Sequence, residues 1–346
     1  MLKDIFSKPY SKLFIVGDNS GWSTDDDAKD LKNFAVKLGV PVEIVKRMYL
    51  NLPQAVHYTS QFSLLLDNIY KSKNRISVDY YHGNPETQES FRKCFEALKS
   101  HQDKITQVRV SNSDMERLIK SIIDPIKVMR IPLGIDTSIF MPQTAENKLK
   151  VRREYGIPEN TVVIGSFQKD GVGWGEGFEP KPIKGPDIFL KVIEKLKNDV
   201  PNLWVLLSGP SRGYVKSGLE KLGIPYRHKY FKESSYVSDL YDALDLYLIT
   251  SREEGGPKSC LQSMAKGVPL VTTAVGQCKD LVISGENAMM APIDDVSGLY
   301  ALSLQALRDQ NLREKLINKG LKTVRGNSFD SQLPLWREYL RKLIDG

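Results

Sequence analysis

Short apolar runs rich in β-branched and aromatic residues alternate with amphipathic stretches along nearly the whole chain. This rhythm predicts parallel β-sheets covered by helices on both faces, an α/β class. In the first half the strand candidates are LFIVGD (Leu13 to Asp18), VEIVKR (Val42 to Arg47), AVHYTS (Ala55 to Ser60), ISVDYYHG (Ile76 to Gly83), TQVRVSN (Thr106 to Asn112) and KVMRIPLG (Lys127 to Gly134). Helices are expected between them, among them Asp25 to Leu38 and Pro85 to Ser100. In the second half VVIGSF (Val162 to Phe167), LWVLLSG (Leu203 to Gly209), PYRHKYF (Pro225 to Phe231), LDLYLIT (Leu244 to Thr250), PLVTTAV (Pro269 to Val275) and AMMAPI (Ala288 to Ile293) repeat the pattern.

Two similar α/β units follow from that repetition, since 346 residues exceed one ordinary core. The polar segment from Met141 to Thr161 opens with Met-Pro and reads as the linker, with the boundary near Gln143. The expected division is 1–142, 143–327, and a last amphipathic helix over about 328–346, carried by PLWREYLRKLI. The stretch VGWGEGFEPKPIKGP (Val172 to Pro186) is dense in Gly and Pro and predicts a long loop, functional or mobile.

Charge and cysteine usage narrow the class. A formal net charge of +7, spread along the chain, favours anionic partners. No basic stripe with interleaved aromatic residues is present, so a nucleic-acid partner is not expected. Cys94, Cys260 and Cys278 are far apart in sequence, without metal-type spacing, and fit free thiols in a reducing compartment. No apolar run is long enough to cross a bilayer, and the expectation is a cytoplasmic protein. The segment KNFAVKLGVPVEIVKRMYLN mixes basic and apolar residues and leaves room for peripheral contact with the inner membrane face, as does a plain strand flanked by solvated charges.

The densest chemistry lies in SREEGGPKSCLQSMAKGVPLVTT (Ser251 to Thr273), just past the C-terminal end of a predicted strand and at the start of a predicted helix. In open parallel sheets ligands sit in that crevice. Gly255, Gly256 and Pro257 bring bare backbone to the site, and amides near Lys258 and Ser259 at the helix N-terminus suit phosphate oxygens. Glu253 or Glu254 would repel a diphosphate and therefore serves best as an acceptor for sugar hydroxyls beside it. Taken alone, the same residues read better as an acidic strand-to-helix turn with a Gly-Gly kink.

These residues resemble the C-terminal domain of retaining family 4 glycosyltransferases, which have the GT-B fold. The family signature is matched by Glu254-Gly255-Gly256-Pro257 and by Ser263-Met264-Ala265-Lys266-Gly267-Val268-Pro269-Leu270-Val271. Gly276, Asp280 and Gly285 fit its continuation, and Gly134, Ile135, Asp136 and Phe140 fit the segment closing the N-terminal domain. The resemblance runs from Val110 to about Lys319 and is weak before Val110. It implies two Rossmann-like domains facing an interdomain cleft, the first binding an acceptor and the second a UDP-, GDP- or ADP-sugar. No metal or cofactor is implied, because side chains and amides neutralise the leaving diphosphate. It also implies a hydroxyl acceptor, carbohydrate or lipid-linked, and retention of anomeric configuration.

On this resemblance Glu254 orients the donor sugar and Lys184, in Lys184-Gly185, holds the diphosphate. Ser166 stands where the family commonly has Arg, and Lys169 is the candidate replacement. Gln262 stands where a second Glu would contact the donor ribose; its amide keeps one acceptor and adds donors. His82, in DYYHGNPE, matches a His-Gly near the transferred sugar, although a strand-end His satisfied by backbone fits equally. His57, His101 and His228 read as ordinary residues. The loop from Asp18 to Trp22 is a candidate acceptor lining, with Trp22 stacking on a sugar. Asp25-Asp26-Asp27 is expected to begin a helix rather than to bind metal. A GT-B epimerase or phosphorylase, or a non-catalytic partner subunit, is the alternative.

Overall fold

The structure is a computed structural model that describes residues 10, 12–17, 23–48, 53–66, 69, 73–231 and 234–345. The chain divides into two compact units, one running to Leu133 and resuming at Phe329, the other Gly134–Ser328.

In the first unit the strands are β1 (Leu13–Val16), β2 (Val42–Val45), β3 (Ala55–Tyr58), β4 (Arg75–Tyr80), β5 (Ile105–Val110) and β6 (Val128–Arg130). They form one parallel sheet in the order β2-β1-β3-β4-β5-β6. Each apolar run identified in the sequence is a strand, because both sheet faces are covered and a continuous apolar run satisfies both. Val56, Val78, Val108 and Val110 feed one buried cluster, whereas Leu13, Ile15 and Ala55 feed another. Helices α1 (Ser23–Lys37), α2 (Glu89–Ser100) and α3 (Ser113–Lys120) complete the crossovers. Asp25 and Asp26 lie in the first turn of α1, where the helix dipole favours acids. Edge strand β2 departs from this, with two of its four residues exposed and two half-buried. Trp22 and the rest of the loop from Asp18 lie outside the described residues.

The second unit repeats the plan. Its strands are β7 (Val162–Phe167), β8 (Leu203–Ser208), β9 (Tyr226–Lys229), β10 (Leu246–Ile249), β11 (Leu270–Thr273) and β12 (Met289–Ala291), all parallel in the order β12-β11-β10-β7-β8-β9. Side chains alternate between faces: Leu206, Tyr247 and Ile249 join one core, and Val205, Leu207, Leu246 and Leu248 the other. The helices are α4 (Ala145–Glu154), α5 (Pro186–Asp199), α6 (Gly213–Leu222), α7 (Val237–Asp242), α8 (Lys258–Ala265), α9 (Gly276–Leu281), α10 (Val296–Arg308) and α11 (Gln310–Gly326). The order reverses between β7 and β10, and that is where an open α/β sheet opens a crevice at its strand ends.

The expected linker from Met141 to Thr161 is instead built into the second unit. Gln143 donates its backbone N–H to Lys266 O at 2.9 Å, and α4 buries Arg152, which bonds Asp245 at 2.6 Å. A polar sequence misled here because α4 carries its charges into a salt-bridged seam. The division falls at Leu133 and Gly134 instead of near Gln143. The last helix, α12 (Phe329–Asp345), belongs to the first unit, packing Trp336, Tyr339, Leu340 and Leu343 against Leu13, Ile15 and Phe34. Among the described residues no helix is long and apolar enough to cross a membrane.

A buried polar centre locks the first sheet to that last helix. Asp79 accepts from Arg109 at 3.2 Å and from the Tyr81 hydroxyl at 2.7 Å, and His57 Nε2 lies 3.3 Å away. Arg109 also donates to Ile131 O and stacks on the Trp336 ring, 4.7 Å from its centroid. His57, expected to be unremarkable, is thus part of a buried network and takes its second contact from Ser77 at 2.9 Å. Burial alone would raise the Asp79 carboxyl, but the Arg109 charge and the His57 and Tyr81 contacts outweigh it and hold the carboxyl below its ordinary value.

Because its folded pKa is depressed, Asp79 contributes stability above its unfolded pKa and loses it as pH falls through the lower folded value. Arg109→Met should strand the carboxylate and cost the first unit about 3–5 kcal/mol. Chemical denaturation at neutral pH checks this; an unchanged midpoint contradicts it.

Candidate functional site

The connection from β7 to α5 is long because it carries a hairpin. Gly171 bridges Pro180, Val172 N–H bonds Glu179 O at 2.9 Å, and Lys181 N–H bonds Asp170 O at 2.7 Å. Its tip rests on Ser211, whose hydroxyl donates to Gly173 O and Gly175 O at 3.1 and 3.0 Å. A Cβ on Gly177 would sit 2.3 Å from Ser211 O, so only glycine admits this approach. Beneath the hairpin Arg212 is fully buried, pairs with Asp170 at 3.1 Å, and donates to the carbonyls of Ser166, Gln168 and Ser208. One guanidinium thereby ties two strand ends to the loop. The stretch expected to be a loop, functional or mobile, is pinned along its length.

The hairpin delivers the chain to a single 3₁₀ turn, Pro182–Lys184, and then to Gly185 in the left-handed region at the start of α5. A Cβ at Gly185 would lie 1.9 Å from Thr250 O. Thr250, just past β10, donates its hydroxyl to Gly185 O at 2.9 Å, and the N–H groups of Arg252 and Glu253 both reach Ile183 O. Arg252 adds a bidentate pair to Asp187, a bond to Pro182 O and one to Asp294, each within 2.6–2.8 Å. The β7–α5 and β10–α8 connections are thus sewn together at the place where strand order reverses.

That stitching sets Lys184 Nζ 2.6 Å from Glu254 Oε1, with side-chain exposures of 22% and 12%. Ser251 donates to the same carboxylate oxygen at 2.8 Å. Of the two acids offered by the sequence, Glu254 is the one joined to Lys184, and Glu253 fixes the loop through its backbone. Lys181 lies in the same field: burial first, then the charges of Lys184 and Lys169, pull its ammonium below the ordinary lysine value, partly offset by Glu254. Burial likewise lowers Lys169, whose Nζ sits 3.7 Å from the centroid of the Trp174 ring. Ser166, where a basic residue was sought, is buried and bonded to Arg212. Three lysines therefore gather at the mouth of the β7–β10 switch point with one carboxylate beside them, a field suited to a polyanion carrying hydroxyls.

Helix α8 starts beside this group, with Pro257 as its N-cap and Lys258 and Ser259 in its first turn. Gly255 is buried, and its carbonyl accepts the Gln277 N–H at 2.9 Å; Gly276 lacks a Cβ because one would lie 2.3 Å from Glu254 O. Gln262, one turn along α8, is half-buried, and its Oε1 accepts from the Tyr241 hydroxyl at 3.1 Å. Tyr241 in turn packs edge-on against Phe167 at 4.8 Å and lies tilted against Tyr247 at 5.2 Å. One lone pair of the acceptor atom expected of Gln262 is therefore engaged, and a second remains.

His82 lies in the first unit, beyond β4. The Gln61 side chain holds its segment, accepting from Tyr81 N–H at 3.0 Å and donating to His82 O, and the imidazole meets the Phe91 ring edge-on at 5.2 Å. Gly83, at φ 121°, lets the chain cross that ring, where a Cβ would come within 2.7 Å. The helix expected from Pro85 starts at Glu89; before it Asn84 organises a turn, accepting from Glu86 N–H through its side chain. Lys181, Ser251, Arg252 and Tyr241 escaped the sequence reading as site residues. Lys181 alone carried a local signal, three positions before Lys184 in the same loop.

Residues 178–323 match the family model of glycosyl transferases group 1, a span that contains Lys184, Glu254 and Gln262 but neither Lys169 nor His82. The chain is 27% identical over 186 residues to the lipopolysaccharide core biosynthesis mannosyltransferase LpsB of Rhizobium meliloti, covering 51% of this chain and 50% of that one. A D-inositol 3-phosphate glycosyltransferase of Stackebrandtia nassauensis is 26% identical over 180 residues, 48% of this chain and 38% of the relative. The match thus spans half or less of these two relatives. Among solved structures, HepE of Anabaena in complex with UDP and glucose superposes with a TM-score of 0.75 at 15% identity, covering 96% of this chain and 99% of that one. Sucrose-phosphate synthase from Thermosynechococcus elongatus gives 0.78 at 13% identity, covering 97% and 99%. The structural likenesses show the GT-B fold, and the similarity to glycosyl transferases group 1 lies within residues 178–323.

Two glycines separate conformation from contact. Gly223 and Gly185 both have left-handed φ, but a Cβ at Gly223 meets only Lys197 Nζ at 4.0 Å. Gly223→Ala should cost about 1–2 kcal/mol, and Gly185→Ala clearly more, since the loop must also leave Thr250. Thermal denaturation of both variants checks the order; equal losses contradict it.

Proposed function

We propose that this chain is a retaining glycosyltransferase that moves a sugar from a nucleotide diphosphate sugar to a hydroxyl acceptor. The observation that carries the reading is the Lys184–Glu254 pair at the switch point, flanked by Lys181, Lys169 and the start of α8. A departing nucleoside diphosphate needs positive charge held in place before it forms, because preorganised groups stabilise a transition state without reorganising. Lys184 is assigned to the diphosphate, with the first-turn amides of Lys258 and Ser259 taking further oxygens. Lys181 and Lys169 deepen the field.

Glu254 is assigned to the hydroxyls of the transferred sugar. While the site holds no donor, Lys184 and Ser251 neutralise its carboxylate; when Lys184 turns to phosphate, that carboxylate regains acceptor capacity. Gly255, Gly256 and Pro257 form the backbone rim, and Gln262 faces the nucleoside. His82 is assigned to the acceptor side of the reaction, where its imidazole bonds a sugar hydroxyl. The reading needs no protein nucleophile: the leaving phosphate oxygen takes the acceptor proton, and the configuration at the anomeric carbon is kept. The solved HepE structure with UDP and glucose and the relatives' transferase names support a nucleotide-sugar donor.

The test is incubation with UDP-, GDP- and ADP-sugars, following release of the nucleoside diphosphate. At least one donor should turn over, and Lys184→Ala and Glu254→Ala should each lower kcat/KM by about a hundredfold. Nuclear magnetic resonance of the first product should show the donor's anomeric configuration. An inverted product contradicts retention, and a folded protein indifferent to every donor contradicts transfer.

A further inference from the structure

We infer that Trp174 is a positioning residue of this site: its ring holds the Lys169 ammonium in the lysine cluster that receives the diphosphate, without neutralising it. The inference rests on the donor-site reading above. It adds a residue that carries no charge and lies outside the span matched by the family model.

The backbone beneath Trp174 is held on both sides. Gly173 and Gly175 flank it, and the Ser211 hydroxyl shares its proton between their carbonyls, at 3.1 and 3.0 Å. The carbonyls of the next two residues, Glu176 and Gly177, accept the Gly213 and Tyr214 N–H groups at the start of α6, at 2.6 and 2.9 Å. Ser211 itself sits at φ 56°, in the left-handed region; the other non-glycine residue found there among the described residues is Asp294, at 65°, which accepts from Arg252. Such backbone costs free energy and persists only where its surroundings fix it. Both instances brace the loops of this site. The Trp174 ring, by contrast, joins neither core of the second unit and is 57% exposed. It adds little to packing, and its contact is with a cation: Lys169 Nζ lies 3.7 Å from the ring centroid.

Ring and carboxylate hold their lysines in different ways. Glu254 neutralises Lys184 and occupies one of its donors, so a phosphate must compete for that ammonium. The face of Trp174 attracts the Lys169 charge through the ring quadrupole, cancels none of it and takes at most one of its three N–H donors. Among the described residues Lys169 donates no hydrogen bond. Its charge nonetheless acts on Lys181 together with that of Lys184, which puts the ammonium in the same cluster. A lysine stem is long and flexible, and without the ring this one would turn to solvent. With the ring, an arriving polyanion meets a full positive charge already in place.

The experiment is calorimetric titration of the full chain with UDP, GDP and ADP, continued with the best-bound nucleotide in variants of Trp174 and Lys169. Trp174→Leu, apolar but without a π face, should weaken binding about fivefold, and Trp174→Ala as much, whereas Trp174→Phe should stay within about twofold of wild type. In a Lys169→Ala background, Trp174→Leu should change the dissociation constant by less than about twofold, because the ring then has no cation to hold. Unchanged binding in Trp174→Leu overturns the inference. So does a loss that is equal with and without Lys169, which would mean that the ring touches the nucleotide itself or only braces the hairpin. Either result leaves the donor site standing. No binding of any of the three nucleotides overturns the donor-site reading itself, and the inference with it.

Discussion

A lysine and a glutamate 2.6 Å apart, at a point where neither is fully shielded from water, form the interaction on which the site depends. Each makes the other tolerable beneath the loops that carry them. Lys184 would otherwise add to the field of Lys181 and Lys169, and Glu254 would face α8 as an isolated anion close to where phosphate belongs. The pair is also exchangeable. An ion pair at this depth is worth little net free energy, so an incoming diphosphate can take the ammonium without dismantling anything rigid.

Rigidity lies in the backbone around the pair. Gly185 packs on Thr250, the Ile183 carbonyl takes two N–H groups from the β10–α8 connection, and Arg252 clamps Pro182, Asp187 and Asp294. Arg212 and Asp170 do the same work under the hairpin. The result is a pair of opposite charges on fixed loops, at the one place in the second sheet where strand order reverses. Binding there pays little for loop ordering, which is the main reason a preorganised anion site gains affinity.

Much of this was legible in the sequence, and for physical reasons. Parallel strands buried on both faces leave continuous apolar runs, so the inner strands stood out among the described residues, and the edge strands β2 and β9 by their β-branched and aromatic residues. Glu254 stood out as one of two acids between a predicted strand end and a helix start, and Lys184 through the resemblance to family 4 glycosyltransferases. The residues that were missed act across the fold. Tyr241 looks like any core aromatic until its hydroxyl is seen on Gln262; Arg212 looks like a surface charge until it is found buried beneath Ser166. The unit boundary was misplaced because α4 is highly charged, and two of its charges, Lys148 and Arg152, pair inward with Asp245. Sequence alone could not weigh His57 either, since its partners Ser77 and Asp79 come from the neighbouring strand.

The account stands or falls on where a diphosphate binds. The most direct measurement is a crystal structure of the chain soaked with UDP or GDP. The expected result is a β-phosphate bonded to Lys184 Nζ and to amides at the start of α8, with the Lys184–Glu254 contact lengthened or broken. A nucleotide seated elsewhere, with that contact still at 2.6 Å, would contradict the account.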